Sequence, residues 1–207
     1  MINIIDYEMG NLRSVEKAFE SLGFAVRVSA DPNDIKTADK VVLPGVGAFR
    51  DCIHHFRDGG FVEPLLEHID VGKPMLGICV GMQMLFDESE EFGCHQGLGL
   101  IPGKVLRFPP GMIENGERLK VPHMGWNNIN IHQQSPLFRN VKTDSFVYFV
   151  HSYYCSAENQ DDISASCRYG EVDFCASIWR DNIMATQFHP EKSQAVGLNI
   201  FRNFGEL

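Results

Sequence analysis

An α/β fold, with a mainly parallel central sheet flanked by helices and a more antiparallel C-terminal half, is the architecture this sequence predicts. Three observations carry it. Through the first half, short apolar runs alternate with stretches whose apolar residues fall at helical spacing. One apolar run ends at a glycine-flanked cysteine, Gly77-Ile78-Cys79-Val80-Gly81. The second half changes to strand signals separated by turns, with one helix at its close.

In chain order, Ile2 to Asp6 reads as a short buried strand. The next stretch places Leu12, Val15, Ala18, Phe19 and Leu22 on one helical face, with Gly23 as its stop. Ala25 to Ser29 and Val41 to Leu43 read as the second and third strands. Pro44-Gly45-Val46-Gly47-Ala48-Phe49 follows, then helical material to about His68. Pro74 restarts the chain for a strand from Met75 to Ile78, and a short helix with Met82, Leu85 and Phe86 packed inward is expected beyond Cys79. Val105 to about Ile131 is a Pro/Gly-interrupted stretch. Strands are predicted over Phe146 to Val150, Ile163 to Tyr169 and Cys175 to Trp179. Arg180-Asp181-Asn182 then turns the chain into Ile183 to Phe188. The last helix, about Ser193 to Phe204, faces Val196, Ile200, Phe201 and Phe204 inward. With no repeat, linker or low-complexity segment, residues 1–207 are expected to form a single domain.

Composition narrows the function classes. A net charge of -9 with no Lys/Arg cluster argues against nucleic acid as a partner. No apolar run approaches the roughly 18 residues of a membrane span. The opening Met1 to Asp6 is strand-like and meets Asp6 and Glu8 too early for an export signal. The 6 cysteines are dispersed without a C-x-x-C pair and read as reduced thiols. A soluble, cytoplasmic protein is the expectation. Cys94-His95 and His54-His55 lack metal-ligand spacing, so neither a metal nor another cofactor is expected.

The chemistry centres on Cys79. A nucleophile between glycines two residues away on each side is the pattern of a strained strand-to-helix elbow, in which flanking side chains would strike neighbouring backbone. That turn also places the sulfur at a helix N-terminus, where oriented N–H groups favour negative charge. Alone, the motif also fits a core strand holding an inert cysteine. A cysteine nucleophile needs a base and the base an orienting carboxylate. His189 and Glu191 stand two apart in Thr186-Gln187-Phe188-His189-Pro190-Glu191-Lys192-Ser193. Extended chain puts such residues on one side, roughly 6–7 Å apart; a surface turn is the other reading. Pro44-Gly45-Val46-Gly47 follows a core strand and lies at the same sheet edge. It can present, or flip into presenting, the Val46 N–H to an oxyanion, with the Val80 N–H as second donor. A plain tight turn is the alternative, and a phosphate loop is disfavoured because no Gly-Lys-[Ser/Thr] follows.

Gly77-Ile-Cys79-Val-Gly81-Met-Gln83 together with Phe188-His189-Pro-Glu191-Lys192 resembles the class I (triad) glutamine amidotransferases. Asp6-Tyr-Glu-Met-Gly-Asn11, Leu43-Pro-Gly-Val-Gly-Ala-Phe49, Gly97-Leu-Gly-Leu-Ile101, Val121-Pro-His-Met-Gly-Trp-Asn127 and Phe149-Val-His-Ser-Tyr153 are similar to the glutaminase subunits of imidazole glycerol phosphate synthases, over essentially the whole chain. The resemblance implies a flavodoxin-like fold. It also implies glutamine hydrolysis through a γ-glutamyl thioester on Cys79, with His189 as acid then base and Glu191 as its orienter. By the same resemblance, Gln83 and Glu91 hold the substrate, and the backbone of Ser152-Tyr153 takes its carboxylate. The oxyanion backbone falls at Val46, Gly47 and Val80. The implied partner is a cyclase subunit of (β/α)₈ barrel type, forming a heterodimer that uses the ammonia in histidine synthesis. Asn11, Pro122, Met124, Trp126, Tyr148 and Lys192 match its docking positions, although Trp126 also suits a core. A paralogous amidotransferase subunit serving bacterial surface-sugar amidation has the same active-site residues and is the alternative.

Overall fold

The structure is a computed structural model and describes residues 1–114 and 116–207. Its first half runs β1 (Ile2–Ile5), α1 (Leu12–Ser21), β2 (Val26–Ser29), α2 (Asn33–Thr37), β3 (Lys40–Gly45), α3 (Phe49–Asp58), α4 (Val62–Asp70), β4 (Met75–Cys79) and the single-turn α5 (Val80–Gln83). The chain continues through β5 (Phe86–Ser89), β6 (His95–Gln96), β7 (Ile101–Arg107), β8 (Ile113–Glu114), β9 (Glu117–Arg118), β10 (His123–Ile131) and β11 (Ser145–His151). It closes with β12 (Tyr153–Ala157), β13 (Ile163–Tyr169), β14 (Val172–Arg180), β15 (Ile183–Thr186) and α6 (Gln194–Gly205).

The main sheet orders its strands β2-β1-β3-β4-β15-β14-β12-β7-β5-β6. From β2 to β15 every pairing is parallel, whereas β14 joins β15 antiparallel and opens the C-terminal half. The central strands are buried along their length, as strands covered on both faces must be, and they are apolar apart from Asn3 and Thr186. Helices flank the sheet. Phe19 of α1 packs on Phe201 and Phe204 of α6, with ring centroids 4.4 and 6.2 Å apart. No helix among the described residues is long and apolar enough to cross a membrane.

Three departures from the sequence reading have physical causes. The helix after Cys79 lasts one turn, because the carbonyls of Met84 and Leu85 accept N–H groups from Leu98 and Leu100 (both 2.8 Å) in place of a further helical turn. Leu85 and Phe86 are buried as expected, but Phe86 opens a strand. Within the stretch read as irregular, β10 is a nine-residue strand. Its apolar signal is diluted by Gly125, Asn127, Asn128 and Asn130, and it is held by pairing with β11 from His123↔His151 to Ile129↔Ser145.

Candidate active site

Register brings the three sequence motifs together. On one side of β4, Gly45 of β3 stands opposite Cys79; on the other, Thr186 of β15 stands opposite Ile78. The Gly45-Val46-Gly47 loop and the Gln187 to Glu191 segment therefore leave the sheet on either side of Cys79, at the carboxyl edge where open α/β sheets build their sites. A cavity of about 290 Å³ sits there, lined among others by Cys79, Gln83, Glu91, Ser152, Tyr153 and His189. A larger groove, about 1030 Å³, runs past Arg107, Arg118 and Met124 and contains none of these residues.

The elbow has the strain its spelling predicts. Cys79 takes φ +56°, a region that costs a residue with a side chain of order 1–3 kcal/mol and that the surrounding structure must impose. The imposition is visible at Gly81, where a Cβ would lie 1.9 Å from the Leu43 carbonyl oxygen; at Gly77 it would lie 3.0 Å from the Gly81 oxygen. Gly81 has no room for a side chain, and at Gly77 one would be tight against the Gly81 backbone and Ala185, so glycines on both sides let β4 and α5 close together.

His189 and Glu191 meet as expected. His189 Nδ1–H donates to Glu191 Oε1 at 2.7 Å, and both side chains are almost fully buried. Nδ1 is thereby the protonated nitrogen, which leaves Nε2, without a hydrogen-bond partner, for the chemistry. Burial opposes a charge on His189, but the Cys79 sulfur and the Glu191 carboxylate outweigh it and push the imidazole up from 6.5 to about 10. Burial likewise works to raise Glu191, and the hydrogen bond and charge of His189 hold it below its ordinary value.

Asn11 stands at the N-cap of α1, yet its side chain makes no cap bond. Its Nδ2–H donates to Glu191 Oε1 at 3.1 Å, so a residue type well suited to capping is diverted onto the carboxylate. Asn11→Ala is expected to lower kcat roughly tenfold, the order for a hydrogen bond to a charged group. Glutamine KM and the helix content by circular dichroism should stay unchanged; loss of helicity with normal kcat would place Asn11 in folding alone.

Sequence reasoning does not single out Gln187 or Ser193, and both tie the site together. Gln187 is fully buried; its Nε2 lies 3.7 Å from Cys79 Sγ and its Oε1 accepts from Gln83 Nε2 at 3.1 Å. Ser193 Oγ–H donates to the His189 carbonyl (2.7 Å) and accepts from the Tyr148 N–H (3.0 Å), and the His189 N–H donates to the Tyr148 carbonyl (2.9 Å). Burial in a polar segment beside a nucleophile was the available signal for Gln187, and it needs the fold to be read. Gln83 Nε2 also donates to the Tyr153 carbonyl (3.0 Å). Glu91 accepts the Phe49 N–H at the start of α3 (2.7 Å); burial raises its carboxyl above the ordinary value, and that N–H offsets part of the rise.

The loop expected to stabilise an oxyanion is in a different state. The Val46 N–H donates to the Met9 carbonyl at 3.2 Å, so it is not presented to Cys79. Gly47, which follows, holds φ +99°, a conformation open to glycine. Beside the cavity, β10 and β11 present Met124, Trp126 and Phe146, 62%, 46% and 57% exposed. Trp126 is thus a surface residue; its ring meets Tyr148 edge-on at 6.1 Å, and Lys192 Nζ lies 5.7 Å over Tyr148. Pro122 and Lys192 are exposed as well.

Residues 3–206 match the family model for glutamine amidotransferase class-I. The chain is 60% identical over 207 residues to the imidazole glycerol phosphate synthase subunit HisH of Syntrophotalea carbinolica, covering 100% of both. It is 62% identical over 206 residues to the HisH subunit of Geobacter sulfurreducens, covering 100% of this chain and 98% of that one. The chain is a class-I glutamine amidotransferase of the HisH family. Among solved structures, PurLQS from Thermotoga maritima superposes with TM-score 0.75 at 16% identity, over 98% of this chain and 96% of that one, a likeness of fold alone.

Proposed function

We propose that this chain is the glutaminase subunit of an imidazole glycerol phosphate synthase, with Cys79, His189 and Glu191 as its triad. The observation that carries the reading is that Cys79 and His189 line one cavity, with Glu191 buried behind His189 and bonded to its Nδ1, because β15 leads the His189 segment out beside the Cys79 end of β4. His189 beside Cys79 is placed to take the thiol proton as the sulfur attacks. The sulfur attacks the glutamine side-chain carbonyl, and the tetrahedral oxyanion takes the Val80 N–H and, once its bond to Met9 breaks, the Val46 N–H. His189 gives its proton to the departing ammonia, leaving a thioester on Cys79. It then takes a proton from the attacking water, and glutamate is released. Gln83, Glu91 and the Ser152-Tyr153 backbone surround the substrate. No cofactor enters this scheme.

In this reading the whole chain, 1–207, works as one domain whose exposed Met124 and Trp126 beside half-buried Tyr148, with Asn11, Pro122 and Lys192, receive the cyclase subunit, a (β/α)₈ barrel. Large exposed aromatic residues in one patch are the anchors such interfaces use. Ammonia passes to that subunit for imidazole glycerol phosphate and aminoimidazole carboxamide ribotide formation, in the cytoplasm. The occupied Val46 N–H supports a glutaminase held idle until its partner and acceptor are in place. Turnover of glutamine is therefore expected to rise when the cyclase and its nucleotide substrate are both added. Equal turnover with the chain alone would refute the coupling, and activation only by a different barrel protein would favour surface-sugar amidation.

A further inference from the structure

Two buried histidines, of which His151 lines the glutamine cavity, form a directed hydrogen-bond relay that the reaction scheme does not use. Tyr153 O lies 2.9 Å from His151 Nδ1; His151 Nε2 lies 3.1 Å from His123 Nδ1; His123 Nε2 lies 3.3 Å from Asn127 Nδ2. The histidines are 3% and 6% exposed (His123 and His151). Their rings sit among aromatic neighbours, His123 stacked between Phe149 and Tyr169 at 4.9 and 4.1 Å.

Only one proton arrangement satisfies this chain of neutral rings. A carbonyl can only accept, so His151 carries its proton on Nδ1 and presents a bare Nε2. That nitrogen requires a donor, so His123 is also protonated on Nδ1, and its Nε2 must accept from Asn127. The Asn127 amide is oriented by its second N–H, which donates to the Arg168 carbonyl at 2.9 Å. Burial supports the neutral rings by holding His123 down to about 4 and His151 down to about 3.

The two ends of the relay matter for function. Tyr153 O is the atom that also accepts from Gln83 Nε2 at 3.0 Å. Its two acceptor sites are therefore filled by the relay and by a residue lining the glutamine cavity. The other end lies in β10, where His123 is flanked by Pro122 and Met124 of the exposed docking ladder. We propose that His123 and His151 are positioning residues for glutamine. By fixing the Tyr153 carbonyl they set the Ser152-Tyr153 backbone and Gln83 in the geometry that receives the substrate, and they tie that geometry to the strand on which the partner seats. This assignment rests on the active-site reading above.

The test is His123→Phe in the assembled complex, a change that keeps the stacked ring and removes the proton donor. Glutamine KM is expected to rise roughly tenfold, the order for one buried hydrogen bond lost, with kcat falling less than KM rises. His123→Asn, whose Nδ2 can replace the imidazole Nδ1, should restore KM. Alkylation of Cys79 by a chloroketone glutamine analogue should need correspondingly more reagent in His123→Phe, while alkylation by iodoacetamide, which needs no glutamine subsite, keeps its rate. An unchanged KM in His123→Phe, or no rescue by His123→Asn, overturns the proposal. If the analogue fails to label Cys79 even in the native complex, the active-site reading fails instead. The relay is then judged independently, and also if His123→Phe does not fold, by imidazole ¹⁵N shifts in the native chain. Nδ1–H tautomers at both His123 and His151 support it, and an Nε2–H tautomer at either overturns it.

Discussion

Replacing Cys79 by serine is expected to lower glutamine turnover in the cyclase complex by at least about 10³-fold, the scale on which loss of a nucleophile acts. Geometry explains why serine is no substitute. The residue at this elbow is held at φ +56° with Gln187 Nε2 3.7 Å from its sulfur, a contact length suited to sulfur and long for an oxygen acceptor. An alcohol is also a far weaker acid and poorer nucleophile than a thiol, and the serine variant loses the sulfur that helps hold the proton on His189. The variant should still fold, since the side chains differ little in volume and the elbow depends on Gly77 and Gly81. Retained turnover in Cys79→Ser, with thioester-trapping reagents finding another residue, would remove Cys79 as nucleophile.

Glu191→Gln is expected to lower kcat by roughly 10²- to 10⁴-fold with KM for glutamine little changed, as for other loss of a buried carboxylate behind a catalytic histidine. The amide keeps the shape and loses the charge that helps hold the proton on His189. Burial, the largest influence on this imidazole, acts to lower its pKa. With the carboxylate gone, the basic limb of the pH–rate profile should move to lower pH; an unmoved limb would show that Glu191 does not set the state of His189.

Stability should follow the same charges. His189 is raised above its ordinary 6.5, so its contribution is complete below 6.5 and is lost as pH climbs through about 10. Glu191 is lowered from 4.5, so its contribution is present above 4.5 and is lost as pH falls through the folded value. Both are in place between 4.5 and 6.5. The Tm gap between the native chain and Glu191→Gln should be widest in that window and should close toward pH 10.

Much of this was legible in the residues. The alternation of apolar runs and helix-spaced stretches is a local property, and β1, α1, β2 and β4 lie where it put them, because each buries a face that its own sequence spells. Gly77-x-Cys79-x-Gly81 is legible for a related reason: the strain and close approach at the elbow leave only glycine a place on either side. His189-Pro190-Glu191 needs only three consecutive residues to bring a carboxylate to an imidazole. The strand β10 was less visible, since Gly125, Asn127 and Asn128 lack strand propensity and take that form through pairing with β11.

The central fold, the family and the candidate nucleophile, base and orienter were legible in the residues alone, because those depend on local spelling. How they are held depends on contacts between distant segments. Asn11, 180 residues from Glu191, becomes its second hydrogen-bond donor, and Gln187 becomes the residue that joins Cys79 to Gln83. The same contacts turn Trp126 outward, bond the Val46 N–H to Met9, and bring His123 and His151 within hydrogen-bond distance. Each of these follows from which strand lies beside which. A hydrogen bond between residues far apart in the chain exists only once sheet register has set their distance, and no local pattern records that register.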